Sequence, residues 1–409
     1  MNYPRDFLFE IPKSDLHLHL DGSLRLKTLI EASKKLNFEL PSHDESSLEK
    51  LVFKDTYANL GEYLKGFKYT CNALRDLEFL EQVSYELAVD NQKENVSYIE
   101  VRFAPQLLID PQKNLSFETI VGAVNKGLLR AKKEYNQSKS VLKDKRPTFD
   151  YGIITCAMRM FDKKGFSPFY SNLFDVMRYS SKNQIIRFAA MELVRGAVKL
   201  RDEKGIPIVA IDLAGQEEGS PPRWFKDAYA FAHKNFMNKT LHAGEAYGAE
   251  SIFEAITECY ADRIGHGYSL FMPERIQDLK ITNKKQYIEH LSSFIADKRT
   301  VIEVCLTSNL QTNPELKSLK EHKFKDMLEH RIATSLCTDN RLISKTTLTK
   351  EYELATSHFN IPLKRLKDIV AYGHKKNFRF GTYVEKRQAA KENMLYFDKI
   401  AKKYHLSNS

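Results

Sequence analysis

Polar and apolar residues alternate through Lys13-Ser14-Asp15-Leu16-His17-Leu18-His19-Leu20-Asp21-Gly22, and the alternation stops at the glycine. Residues two apart on a strand share a face, so the pattern predicts a β-strand carrying His17 and His19 side by side, with Asp21 continuing that face. Leu16, Leu18 and Leu20 would bury the opposite face, which places the strand in a sheet covered by helices. Two histidines on an exposed amphipathic strand are the plainer alternative. The period then changes. Leu26 to Leu36 reads as a helix, Pro41 to Ser47 as a loop, and residues 57–95 as wholly helical. Within the last of these, Leu60, Tyr63, Leu64 and Phe67 fall at i, i+3, i+4 and i+7, one apolar face. Val96 to Pro105 predicts a second strand stopped by its proline, followed by a helix from Phe117 to Glu134.

The same unit recurs. Further strands are predicted at Asp150–Cys156, Ile206–Gly215, Thr240–Glu245, Ala261–Gly267, Thr300–Leu306 and Ile332–Asn340, separated by helical patterns such as Asn183 to Lys204. Strands alternating with helices imply a parallel sheet, and eight of them fit a closed (β/α)8 barrel of the α/β class with extra helices. An open doubly wound sheet would call for a glycine-rich G-x-G-x-x-G loop after the first strand, and none is present. From Glu351 onward the chain reads as helices covering one end. No linker composition interrupts residues 1–409, so one domain is expected, with a helical insertion at about 26–95.

Composition narrows the class. The 409 residues are 42% hydrophobic, with 25 Phe and 20 Tyr, enough for one large core and unlike a disordered chain. Five cysteines without C-x-x-C spacing read as buried free thiols in a reducing compartment. There is no apolar run long enough to span a membrane, and Pro4, Arg5 and Asp6 stand where a signal peptide would be apolar, so the expected location is the cytoplasm. The net charge of +10 is mild over this length. Its densest stretch, Arg130 to Arg146, has seven Lys/Arg around a loop-like Asn136-Gln137-Ser138. It lacks a series of interleaved aromatics, which favours a solvated helix end and loop over a polyanion site.

Polar residues gather where predicted strands end: His17, His19 and Asp21 on the first, His242 and Glu245 on the fifth, His266 on the sixth, Asp339 and Asn340 on the eighth. A barrel brings all eight C-terminal strand ends to one face, so residues more than 300 positions apart would meet in one pocket. Three imidazoles (His17, His19, His242) and one carboxylate (Asp339) make an N/O ligand set that suits Zn²⁺, with Fe²⁺, Co²⁺ or Mn²⁺ conceivable. Such an ion makes hydroxide available at neutral pH. Glu245 stands close enough to move a proton without coordinating. His266 could take a proton from the bound water or hold the hydroxide in line. The fourth strand, ending Asp212-Leu213-Ala214-Gly215, offers no lysine to bridge a second metal, so one ion per chain is expected.

The pieces His17-x-His19-x-Asp21-Gly22, Asp212-Leu213-Ala214-Gly215, His242-Ala243-Gly244-Glu245, Gly265-His266-Gly267 and Ser335-Leu336-Cys337-Thr338-Asp339 together resemble the adenosine deaminases of the amidohydrolase superfamily. The resemblance implies a (β/α)8 barrel and a zinc-dependent deaminase. By it, His17, His19, His242 and Asp339 match the zinc ligands, Glu245 the acid that protonates purine N1, and His266 the histidine that orients the attacking hydroxide. Asp21 matches the contact to the nucleoside 5′-hydroxyl and Gly215 the backbone donor to purine N3. The stretch Leu60 to Phe67 looks like the helix gating the pocket, through Leu60, Tyr63, Leu64 and Phe67. The implied reaction converts adenosine, and 2′-deoxyadenosine, to the inosine product and ammonia. The implied partner is a small-molecule purine nucleoside, with membrane and nucleic acid disfavoured. One departure stands out: Asn340 occupies the position where the family usually has an aspartate that contacts purine N7. Extra length around 134–150 and at the C-terminus also departs from the family core. The alternatives are a deaminase of adenine or a modified adenine nucleoside, or a purine-binding barrel without turnover.

Overall fold

The computed structural model describes residues 3–163 and 167–406. Eight strands run Lys13–His19 (β1), Val96–Phe103 (β2), Asp150–Met158 (β3), Ile208–Ala214 (β4), Asn238–Ala243 (β5), Arg263–His266 (β6), Val301–Val304 (β7) and Thr334–Leu336 (β8). Each pairs in parallel with the next, in the order β1 to β8. The ring closes through a parallel bridge between Leu18 and Asp339, where Asp339 N donates to His17 O at 2.8 Å and His19 N to Asp339 O at 2.7 Å. This is a (β/α)8 barrel, and its seam lies at the predicted ligand cluster. Nearly every strand residue is buried, as strands covered outside by helices and filled inside must be.

Most elements fall where the sequence places them, and the exceptions have local causes. Residues 57–95 are not one helix but three, Leu60–Leu64, Gly66–Ala73 and Leu77–Lys93. The last begins afresh because the Asp76 side chain accepts from Glu78 N and Phe79 N, an N-cap that the preceding turn cannot run through. The joint at Lys65 keeps helical angles (φ −62°, ψ −28°), so the apolar face survives across it. The loop expected over Pro41 to Ser47 ends earlier, since Asp44 caps a helix Glu45–Leu51 by accepting from Ser47 N. Asn136 belongs to the helix Phe117–Asn136 rather than to a loop, and a short helix Lys139–Leu142 follows. In that basic stretch Arg130 pairs with Glu81 and Lys132 with Asp150. Strand ends are shorter than expected at β7, where Cys305 already caps a helix Leu306–Thr312.

The C-terminal helices Leu363–Lys375 and Tyr383–Lys403 pack on each other, the first against β1 and β8. Between them, Phe378 N donates to Glu100 Oε1 at 2.6 Å and its ring lies 3.6 Å from the Arg263 guanidinium, which brings this connection to the charged interior of the barrel. All five cysteines are free and buried. No helix among the described residues is long and apolar enough to cross a membrane.

Candidate functional site

The bulge in β1 between Asp15 and Leu18 and the barrel seam together set the histidine pair. His17 and His19 leave β1 two residues apart, His242 comes from β5, and Asp339 follows β8. One ligand atom from each of these four lies within 4.8 Å of all the others. His19 Nε2 is 3.3 Å from His242 Nε2, and Asp339 Oδ1 is 3.5 Å from both His17 Nε2 and His19 Nε2. Two ligands about 2.0–2.1 Å from one tetrahedral ion stand roughly 3.3–3.4 Å apart, so the cluster has the dimensions of a metal site. His17 Nε2 is buried with no hydrogen-bond partner, a lone pair aimed at the centre of the cluster.

The outer nitrogens are held by carboxylates. His17 Nδ1 lies 2.8 Å from Glu303 Oε2, and His242 Nδ1 lies 3.0 Å from Asp212 Oδ2. Each bond puts the ring proton on Nδ1 and leaves Nε2 free to ligate. Ser308 Oγ donates to Asp339 Oδ2 at 2.6 Å. Burial pushes His242 down to about 3, and it also lowers His17, with Arg102 adding to the effect. Both rings are therefore neutral, the state a metal requires.

Beneath the cluster runs a buried charge network that motif reasoning missed. Arg102 of β2 bridges Asp212 and Glu303, while Arg263 of β6 pairs with Glu303 Oε1 and Glu100. Burial opposes ionisation of Glu303, but Arg102 and Arg263 outweigh it and hold that carboxyl well below the usual range. Two guanidiniums face the carboxylates Glu100, Asp212 and Glu303, with Asp339 a fourth. The available signal was a charge inside an apolar strand, as in Val301-Ile302-Glu303-Val304.

Above the cluster opens a cavity of ≈ 420 Å³, within the range of small-molecule sites. Its polar wall includes His19, Asp21, Gly215, Glu245, His266, Asp339 and Asn340, and Leu60, Tyr63, Leu64 and Phe67 form part of its apolar wall. The structure thus brings every predicted site residue to one place, with His17 just beneath. His266 and Asp339 have φ of +61° and +60°, left-handed conformations rare outside glycine and common where function fixes the backbone. Asp21 Oδ1 is buried without a hydrogen-bond partner, 3.5 Å from His19 Nδ1. Gly215, at φ +97°, turns the chain as it leaves β4.

Two further groups shape the wall. Glu217, fully buried, accepts from the backbone N–H of Gly244, Glu245, Ala246 and Tyr247 at 2.7–3.0 Å, and from Ser251 Oγ at 2.6 Å. It clamps the loop that carries Glu245, and its place in a loop distant in sequence hid it. Burial raises the pKa of Glu245, and with the Asp339 and Glu217 charges it outweighs the opposing pull of His266 and Arg159, which favours the protonated acid. Asn340 Nδ2 donates to the Tyr63 hydroxyl at 2.8 Å, and that hydroxyl is 2.8 Å from Ser344 Oγ. A Cβ at Gly22 would come within 1.7 Å of Asn340 Oδ1, so only glycine leaves room for this carboxamide.

Residues 12–167 and 173–386 match the family described as adenosine deaminase. A probable adenosine deaminase of Dictyostelium discoideum is 30% identical over 375 residues, 91% of this chain and 41% of that protein, so the chain spans less than half of that relative. An adenosine deaminase of Mycolicibacterium vanbaalenii is 33% identical over 351 residues, 85% of this chain and 84% of that one. Among solved structures, an amidohydrolase from B. ambifaria with bound Zn superposes with a TM-score of 0.77 at 18% identity, covering 98% of this chain and 94% of its own.

Proposed function

The chain belongs to the adenosine deaminase family, and we propose that it converts adenosine, and 2′-deoxyadenosine, to the 6-oxo nucleoside and ammonia with one zinc ion per chain. The observation that carries this is the convergence of His17, His19, His242 and Asp339 on one point beside the raised-pKa Glu245. The donor set fits zinc: three imidazoles and one carboxylate oxygen, with the His17 Nε2 orphaned at the centre. When bound there, a divalent ion lowers the pKa of water toward about 7.

The chain's own residues do the rest. Glu245, whose pKa is raised by burial, is the acid that delivers a proton to purine N1, which makes C6 electrophilic. His266 orients the attacking oxygen. Water's oxygen adds at C6 and gives up both its protons, one leaving with the amino group as ammonia and one restoring Glu245, while N1 keeps the proton it received; the product is the 6-oxo purine. Asp21 Oδ1, buried without a hydrogen-bond partner in the protein, accepts from the 5′-hydroxyl, and the backbone of Gly215 faces purine N3. Asn340 has two N–H groups; Tyr63 takes one, and the other serves N7. The apolar face of Leu60, Tyr63, Leu64 and Phe67 covers the base and limits water.

The test is a deamination screen of purified zinc-loaded protein on adenosine, 2′-deoxyadenosine, adenine and N6-modified nucleosides, reading ammonia release. Adenosine and deoxyadenosine should lead in kcat/KM. A lead for adenine would remove the 5′-hydroxyl role of Asp21 and favour the free base.

A further inference from the structure

The wall behind His266 contains a line of hydrogen bonds to which the scheme above assigns nothing. His266 Nδ1 lies 3.1 Å from Asn309 Nδ2, and Asn309 Oδ1 lies 3.1 Å from His322 Nε2. The line ends where the backbone N of Phe324 donates to His322 Nδ1 at 2.9 Å. Asn309, His322 and His266 are 0%, 1% and 2% exposed, so water does not compete for these contacts.

The direction of every bond follows from its far end. A backbone N–H can only donate, so His322 Nδ1 must accept and carries no proton. Burial pushes His322 down to about 3, so the ring is neutral and its single proton is on Nε2. That N–H donates to Asn309 Oδ1, which settles which way the amide faces. Asn309 Nδ2 is then a donor to His266 Nδ1, and His266 Nδ1 is an acceptor. The reverse arrangement sets two donors against each other at His322 Nδ1. A His266 imidazolium would do the same at its own Nδ1.

We propose that Asn309 and His322 are positioning residues that lock His266 in its Nε2–H tautomer, so that His266 meets the reaction as a hydrogen-bond donor and not as a base. The neutral ring has its only lone pair on Nδ1, and Asn309 occupies it. Nε2–H is the group left for the cavity, which His266 lines. Of the two roles its sequence position allows, taking a proton or holding an oxygen in line, only the second is open. This inference rests on His266 belonging to the deamination site.

Imidazole ¹⁵N spectra of the zinc-loaded enzyme read the tautomer directly, with His266 assigned by the signals lost in His266→Asn. The wild type should show His266 with a protonated Nε2 and a bare Nδ1. Asn309→Asp still accepts from His322 but turns a carboxylate toward His266, so the proton should move to Nδ1. Its kcat should fall by roughly 10²-fold, the cost of one lost donor at a reacting oxygen, with KM and zinc content little changed. His322→Gln keeps an N–H for Asn309 and should retain both the wild-type His266 signals and most of kcat. A wild-type His266 protonated on Nδ1 overturns the proposal, as does an Asn309→Asp spectrum with His266 unchanged. If Asn309→Asp fails to fold, the wild-type spectrum alone decides. A protein that deaminated no purine would still report its tautomer, so failure of the functional reading is distinguishable from failure of this one.

Discussion

Glu303→Gln probes the network under the metal cluster. The carboxylate accepts at Oε2 from His17 Nδ1 and Arg102 Nη2, both at 2.8 Å, and at Oε1 from Arg263 Nε at 2.7 Å and Thr240 Oγ1 at 3.0 Å. Glutamine keeps the shape but replaces one oxygen with an N–H donor and removes a charge between two buried arginines. Thr240 can rotate its hydroxyl from donor to acceptor, whereas His17 and Arg102 in their present bonds cannot. The amide nitrogen therefore settles on the Thr240 side, and His17 keeps a carbonyl in place of a carboxylate. Loss of an outer partner weakens metal binding by about 10–100-fold, and this partial replacement belongs at the low end, roughly tenfold. The arginines fare worse: stranding one partner of a buried pair costs about 3–5 kcal/mol. Competition titration against a zinc-buffering chelator reads the first effect, and urea unfolding of the metal-free protein reads the second. Stability within about 1 kcal/mol of the wild type, the size of an ordinary surface change, would refute the claim that Glu303 neutralises Arg102 and Arg263.

Other outcomes follow from the same site. His17→Ala or His242→Ala should lose metal and activity together; full activity after exhaustive chelation, or two tightly held ions by elemental analysis, would contradict the one-ion site. Replacing purine N7 by carbon should lower kcat/KM by roughly 5- to 150-fold, about 1–3 kcal/mol, because an Asn340 N–H is left unpaired. Asn340→Asp should add a basic limb to the pH profile, since only the protonated acid donates; equal kcat/KM for adenosine and its 7-deaza analogue would leave Asn340 a brace for Tyr63. Away from the site, burial pushes His374 down to about 4. Between its unfolded value of about 6.5 and that pH the unfolded chain binds a proton the folded chain refuses, so stability falls as pH drops through this window, by up to roughly 1 kcal/mol per pH unit. His374→Leu should flatten that slope in denaturant midpoints, and an unchanged slope would count against a neutral buried His374.

Period and strand-end chemistry made the barrel and most of the site legible. His17, His19, His242 and His266 lie within the last three residues of their strands and Asp339 follows one, and a barrel sends all such ends to one face. What stayed hidden works through tertiary partners. Glu217 looks like an ordinary loop acid until four backbone N–H groups from a loop more than 25 residues away close on it. Asn309 lies in the helix Leu306–Thr312 and His322 in a connection further along the chain, and they gain meaning only from the bond between them. The break after Leu64 was invisible for the opposite reason: Lys65 keeps helical angles, so the apolar spacing runs on across it.

Whether Glu245 drives deamination is decided by comparing the wild type with Glu245→Gln at matched zinc content, on adenosine, with ammonia measured against nucleoside consumed. One ammonia per adenosine is expected from the wild type. Glutamine cannot deliver the proton to N1, so turnover should drop by at least about 10²-fold while zinc stays bound. Near wild-type turnover by Glu245→Gln, or no ammonia from the zinc-loaded wild type, would contradict that role.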